Sequence, residues 1–183
     1  MPRPWDELER EEIQDCKVFR VQRSLVRAPR TGAVHPFYRI DCVDWVHVLP
    51  ITPDGDVVMV RQWRHGQQAV TLEIPGGMVD AGESPVEAAA RELLEETGFR
   101  AARVVALGGL NPNPALFGNR LHTFVAEGCV REAAIRNDGT EETEVELVPL
   151  ADLPRLVREG RIDHALVIAG LHLHHLTRGG DVR

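Results

Sequence analysis

Between residues 83 and 96 the chain places four glutamates, Glu83, Glu92, Glu95 and Glu96, with Arg91 immediately ahead of the last three. In a helix each residue turns by about 100°, so Glu95 falls roughly 60° to one side of Glu92 and Glu96 roughly 40° to the other. The three carboxylates share one narrow face, where like charges a turn apart oppose one another by roughly a few tenths of a kcal/mol per pair. A hard divalent cation removes that conflict. Mg²⁺ takes carboxylate, carbonyl and water oxygens and bridges to substrate phosphates, and a cation so held lets a diphosphate dock on an acidic surface. A Glu-rich helix end is also an ordinary solvated face, so the run alone leaves both readings open.

The elements that must position these groups follow from local signals. Ser84 as hydroxyl cap, Pro85 at the first helical position and Glu87 three residues after the cap open a helix. Gly98 closes it as a left-handed cap. Val86, Ala89, Ala90, Leu93 and Leu94 are expected to pack on a sheet, opposite the carboxylates. Before the helix, strands are expected over 17–27, 35–41, 42–51, 57–63 and 69–74, with an Asp-Gly hairpin turn at 53–56. The opening residues up to about Asp15 are polar, and Pro75-Gly76-Gly77 breaks the strand pattern and opens a loop. After the helix, strands at 102–110, 119–130 and 145–150 flank the loop NPNPALFG and a polar stretch at 131–144. Helices are expected over 151–160 and 162–176, the second apolar at 165–169, 171, 173 and 176.

Composition narrows the function. The chain has 183 residues, 43% hydrophobic and 27% charged, which suits a single soluble domain or one domain with a small appendage. A net charge of −7 argues against binding nucleic acid through its backbone. Cys16, Cys42 and Cys129 are too few and too far apart for a disulfide framework or a CxxC clip. No apolar run reaches the ~20 residues of a membrane span, and MPRPWDELEREEIQ lacks a signal-peptide core. No membrane partner and a cytoplasmic location are therefore expected. Neither SxxK, GxSxG, a Cys-His pair nor GxGxxG after a strand is present. His172 and His174, two apart, point to different helix faces; His172 and His175, three apart, read as a polar helix edge, and His122 as a packed or edge residue.

The spacing of the acidic segment carries more than its charge. Gly77, five residues, Glu83, seven residues, Arg91-Glu92-Leu93, one residue, Glu95-Glu96, one residue, Gly98-Phe99 resembles, at every fixed position, the signature of the Nudix hydrolases. The resemblance implies an α+β Nudix fold: an α/β/α sandwich with a mixed β-sheet, here with an added N-terminal antiparallel β-sheet. It implies Glu92, Glu95 and Glu96 as ligands of Mg²⁺, with Mn²⁺ as substitute, and Glu83 paired with Arg91 to hold the loop against the helix.

The stretch LEIPGGMVDAGE resembles the branch of ADP-ribose pyrophosphatases and nucleoside diphosphate sugar hydrolases. There the residue before the first glycine of the signature, here Gly76, lends a carbonyl to a metal. RQWRHGQQ resembles the branch's RQYR segment, which implies Arg64, with Arg61 beside it, as contacts of the diphosphate. The acidic stretch TEETEVE sits where that branch carries a glutamate acting as general base or supporting the metals. Glu141, Glu142 and Glu144 are the candidates, with Glu142 favoured. The loop at 111–120, NPNPALFGNR, departs from the Ser-Pro-Gly type of ADP-ribose pyrophosphatases and looks closer to hydrolases of nucleotide sugars more broadly, GDP-mannose included. Asn113, Asn119 and Arg120 could read sugar hydroxyls or a phosphate, or form plain turns. The implied reaction is hydrolysis of the pyrophosphate bond of a nucleotide sugar to a nucleoside monophosphate and a sugar phosphate. Alternatives are hydrolysis of dinucleoside polyphosphates or capped RNA, or a non-catalytic sensing module; the latter would be expected to lose glutamates that this chain retains. By the same resemblance, residues 1–42 supply a dimerisation sheet and residues 43–183 the hydrolase domain, as a homodimer. Phe37, Tyr38 and Trp45 could stack on a base or simply pack.

Overall fold

The computed structural model describes residues 1–137, 139 and 141–178. Its strands are β1 (Asp6–Asp15), β2 (Arg20–Arg27), β3 (Val34–Asp41), β4 (Trp45–Ile51), β5 (Asp56–Arg64) and β6 (Ala69–Glu73). Next come β7 (Gly76–Met78), helix α1 (Pro85–Thr97), β8 (Phe99–Arg100), β9 (Arg103–Leu110) and β10 (Leu121–Glu127). The chain continues through β11 (Val130–Arg131), β12 (Thr143–Pro149), a 3₁₀ turn at Leu150–Asp152, α2 (Leu153–Arg158) and α3 (Ala165–Arg178). Asp138 and Thr140, in the polar stretch before β12, lie outside the described residues.

Two compact units emerge: Met1–Asp44 with Asn111–Arg120, and Trp45–Leu110 with Leu121–Arg183. The first is built on an antiparallel sheet in the order β1-β2-β3. Its strand β1 falls on the polar opening residues, where DELEREEIQD has no apolar alternation and every position is exposed. Cross-strand pairing holds it instead: Arg23 meets Glu11 at 2.5 Å and Arg39 meets Glu7 at 3.2 Å, while Trp5 packs edge-on against Phe37. The segment 111–120 joins this unit through the Ile40 N–H, which donates to the Leu116 carbonyl at 2.8 Å.

The second unit is a mixed sheet in the order β12-β5-β4-β10-β9, with β6 on β5 and β7 on β4. β10 runs parallel to β4; the other pairings are antiparallel. Alternation sends Val46, Val48 and Val58 to one face, where they pack with Ala88, Ala89 and Leu93 of α1. Leu49, Val57 and Met59 go to the other, against Leu153, Leu156 and Val167 of α2 and α3. Helices on both faces make this an α/β/α sandwich of the α+β class. The segment Gly76–Met78, expected as loop, is a short strand, because its pairing with Trp45–His47 is long-range and leaves no local signal.

Candidate active site

Helix α1 starts and stops on its own residues. The Ser84 N–H donates to Glu87 at 2.9 Å, and Gly98, at φ 73°, closes the helix with its N–H on the Leu94 carbonyl. The buried side differs from the expected one. Val86 and Ala90 are exposed and Leu94 is half-buried, whereas Glu92 and Glu96 are buried beside Ala88, Ala89 and Leu93. Adjacent Ala88 and Ala89 pack in the apolar core, and the helix is rotated so that Glu92 meets Gly77 and Glu96 meets Gly76. The glycines make room for this. A Cβ on Gly77 would overlap the Glu92 carboxylate, and one on Gly76 would overlap the Val46 carbonyl.

Glu96 is the most enclosed of the three carboxyls, 2% exposed. Its Oε2 accepts from the Gly76 N–H at 3.0 Å. Burial pushes its carboxyl up to about 8; the Gly76 N–H opposes this, and the charges of Glu92 and Glu141 add to it. Glu92 is raised by burial as well, with Arg91 partly offsetting. Arg91 organises the opposite corner. Its Nε and Nη2 donate to the two Glu83 oxygens at 3.0 Å each, and Nη2 also reaches the Met78 carbonyl at 3.0 Å. Nη1 bridges Glu92 at 2.8 Å and Glu95 at 3.0 Å. These hydrogen bonds hold Glu83 below the usual carboxylate range.

All three helix carboxylates open on a cavity of about 810 Å³, which Arg64, Arg136 and Glu141 also line. Among the described residues, no three His, Cys, Asp or Glu side chains gather closely enough to hold a metal ion. Glu92 and Glu95 turn to Arg91, and Glu96 to the Gly76 N–H. The donor chemistry nonetheless suits a hard cation: carboxylate oxygens share one pocket, and a buried carboxyl there has its ionisation opposed by like-charged neighbours.

Arg64, expected to face a diphosphate, lines the cavity but gives Nε and Nη2 to Glu73, at 2.8 Å each. Glu73 is 1% exposed. It also accepts from the Thr71 hydroxyl at 2.6 Å and lies 3.1 Å from His164 Nδ1. Burial alone would raise its carboxyl, but Arg64, His164 and Thr71 outweigh that and hold it well below the usual range. His47, in edge contact with His164 at 5.8 Å, is lowered to about 4 by burial, with His164 adding. Sequence reading passed over Glu73, His47, His164 and Arg136. The available signal was Glu73, a lone charge ending an apolar strand, since a charge buried there needs a partner.

Other expected site residues lie elsewhere. Arg61 pairs with Glu146 at 2.5 Å and lines a separate cavity of about 240 Å³. Of the three loop glutamates, Glu141 lines the large cavity; Glu142 and Glu144 are exposed and do not. Asn113 and Arg120 belong to the first unit. Asn113 Oδ1 accepts from the Ala115 N–H at 3.2 Å, an Asn-centred turn, and Arg120 Nη1 donates to Asn111 at 2.7 Å. Asn119, buried in the same unit, donates to the Val43 carbonyl at 3.0 Å. His174 faces inward, away from His172 and His175, which stack at 6.5 Å between ring centres.

The NUDIX domain family model matches residues 44–171, which contain the helix, both glycines and the acidic cavity, and the chain belongs to the Nudix family. It is 31% identical over 173 residues to the ADP-ribose pyrophosphatase of Mycobacterium tuberculosis, covering 92% of this chain and 83% of that one. It is 30% identical over 128 residues to the ADP compounds hydrolase NudE of Escherichia coli, covering 70% and 68%. The crystal structure of an ADP compounds hydrolase matches with a TM-score of 0.87 at 25% identity, over 100% of this chain and 98% of that one. Within the family, the chain is a pyrophosphohydrolase of the ADP-ribose pyrophosphatase branch.

Proposed function

We propose that this chain hydrolyses the pyrophosphate bond of a nucleoside diphosphate sugar, with ADP-ribose the first candidate and GDP-mannose the next. The products are a nucleoside monophosphate and a sugar phosphate. The observation that carries this reading is the cavity of about 810 Å³ onto which one helix turns Glu92, Glu95 and Glu96. Those carboxylates, with the Gly76 carbonyl, are the proposed holders of Mg²⁺, or of Mn²⁺ in its place. A divalent cation there supplies neutralising charge to the diphosphate and makes water a better acid.

The chain's own residues do the rest. Glu141 is the loop glutamate that lines the cavity and is assigned to take the attacking water's proton; this moves the role from Glu142. The water oxygen bonds to one phosphorus, and the bridging oxygen leaves with the other phosphate. Glu83 and Arg91 keep the 77–83 loop on the helix, so Gly77 stays against Glu92. Glu73 holds Arg64 in one orientation at the cavity wall.

The wider setting belongs to the same proposal. A homodimer forms through the β1-β2-β3 sheet, whose Leu8, Ile13, Phe37 and Tyr38 stay about half exposed, as does Trp5 just before it. Three free cysteines fit the reducing cytoplasm, and no described helix is long and apolar enough to cross a membrane. The test is a hydrolysis panel of ADP-ribose, GDP-mannose and a dinucleoside polyphosphate, read as the phosphorylated products released from each. Preference for a nucleotide sugar is expected. Turnover of the polyphosphate alone would reject the substrate class.

A further inference from the structure

Among the described residues, three arginines line the acidic cavity, and two of them are committed. Arg64 gives its fork to Glu73. Arg91 spends all three guanidinium nitrogens on Glu83, Glu92, Glu95 and the Met78 carbonyl. The third is Arg136, on the loop between β11 and β12, and among the described residues its exposed guanidinium forms no ion pair.

The backbone that carries Arg136 is nevertheless fixed. Its N–H donates to the Glu95 carbonyl at 2.8 Å, and the Glu132 and Ala133 N–H groups donate to the Gly98 carbonyl at 2.8 and 3.0 Å. The Thr143 hydroxyl donates to the Glu96 carbonyl at 2.8 Å and contacts Asn137 Oδ1 at 2.9 Å. The loop is thus fastened to the end of the helix that bears the carboxylates. Gly98 leaves room for this, since a Cβ there would overlap the Ala133 carbonyl. A guanidinium on such an anchor, beside a pocket for an anionic ligand, keeps a planar fork that matches two oxygens of one phosphate.

We propose that Arg136 is a substrate-binding residue, taking the anionic oxygens of the diphosphate with the charge that Arg64 and Arg91 have committed elsewhere. This rests on the reading of the cavity as a nucleotide-diphosphate site. It gives a KM effect, because the contact is made to ground state and transition state alike.

The test compares wild type, Arg136→Ala, Arg136→Lys and the control Arg131→Ala, whose exposed residue on β11 does not line the cavity. Two quantities are read in excess Mg²⁺: kcat and KM for ADP-ribose, and the Kd of ADP by calorimetry. Arg136→Ala is expected to raise KM and Kd about tenfold or more, the scale of one charge-assisted hydrogen bond. Its kcat stays within about threefold, the lysine variant recovers part of the loss, and Arg131→Ala matches wild type. Unchanged KM and Kd in Arg136→Ala would overturn the proposal and leave the hydrolase reading standing, as would equal losses in Arg131→Ala. A wild type that binds ADP through Arg136 yet hydrolyses no nucleotide sugar would keep the anion site and remove the proposed reaction. Failure of wild type to bind ADP would remove the anion site.

Discussion

At the scale of single residues, Gly76 and Gly77 separate folding from chemistry. Alanine at 77 meets the movable end of Glu92, so turnover should fall while melting shifts by no more than a few degrees, the scale of about 1 kcal/mol. Alanine at 76 meets the Val46 backbone, which cannot yield, so melting itself should fall, by the ~1–3 kcal/mol of an overpacked site. Turnover and thermal melts on both variants check this; a Gly77→Ala enzyme with full activity would contradict the close approach. Glu73 offers a pH test. Its folded carboxyl is held below the unfolded value of about 4.3, so its contribution is present above that pH and is lost as pH falls toward the folded value. Glu73→Gln should therefore be less stable than wild type at pH 7, and the gap should narrow below about pH 4. A gap independent of pH in thermal melts would contradict the Arg64 pairing as its source. Glu96→Gln should fold yet lose at least about a hundredfold in turnover, more than a supporting residue would cost.

At the scale of elements, the bounds of α1 were legible: hydroxyl cap, Pro85, Glu87 and Gly98 each act locally, and the helix runs Pro85–Thr97 between them. Its rotation was not legible. Small and charged residues share the turn, and only contact with Gly76 and Gly77 decides which side is buried. Strand β1 and the short β7 were missed for a related reason, since both exist through long-range pairing and carry no alternation of their own. Gly98 links two elements, ending the helix at positive φ and admitting the loop at Ala133. Gly98→Ala should destabilise by about 1–2 kcal/mol from backbone strain, with the overlap on the Ala133 carbonyl adding to it. It should also lower activity by displacing the loop that carries Arg136 and Glu141; denaturant melts and kinetics on the same preparation measure both.

For the molecule as a whole, the glutamate spacing made the family legible, while the wall of the cavity opposite the helix was hidden. Glu73, His47 and His164 come from two strands and the segment before α3 and meet only in the folded chain, and Glu141 is distinguished from Glu142 only by the path of the loop. The N-terminal sheet keeps half-exposed aromatics that a homodimer would cover, so sedimentation should give a dimer, and charge substitutions at Phe37 and Tyr38 should weaken it. The account turns most directly on ³¹P NMR of ADP-ribose mixed with the purified protein, with Mg²⁺ and with excess chelator. It predicts AMP and ribose 5-phosphate in equal amounts with Mg²⁺, and an intact substrate with chelator or with Glu96→Gln. Cleavage that proceeds unchanged in chelator, or no cleavage in Mg²⁺, would contradict it.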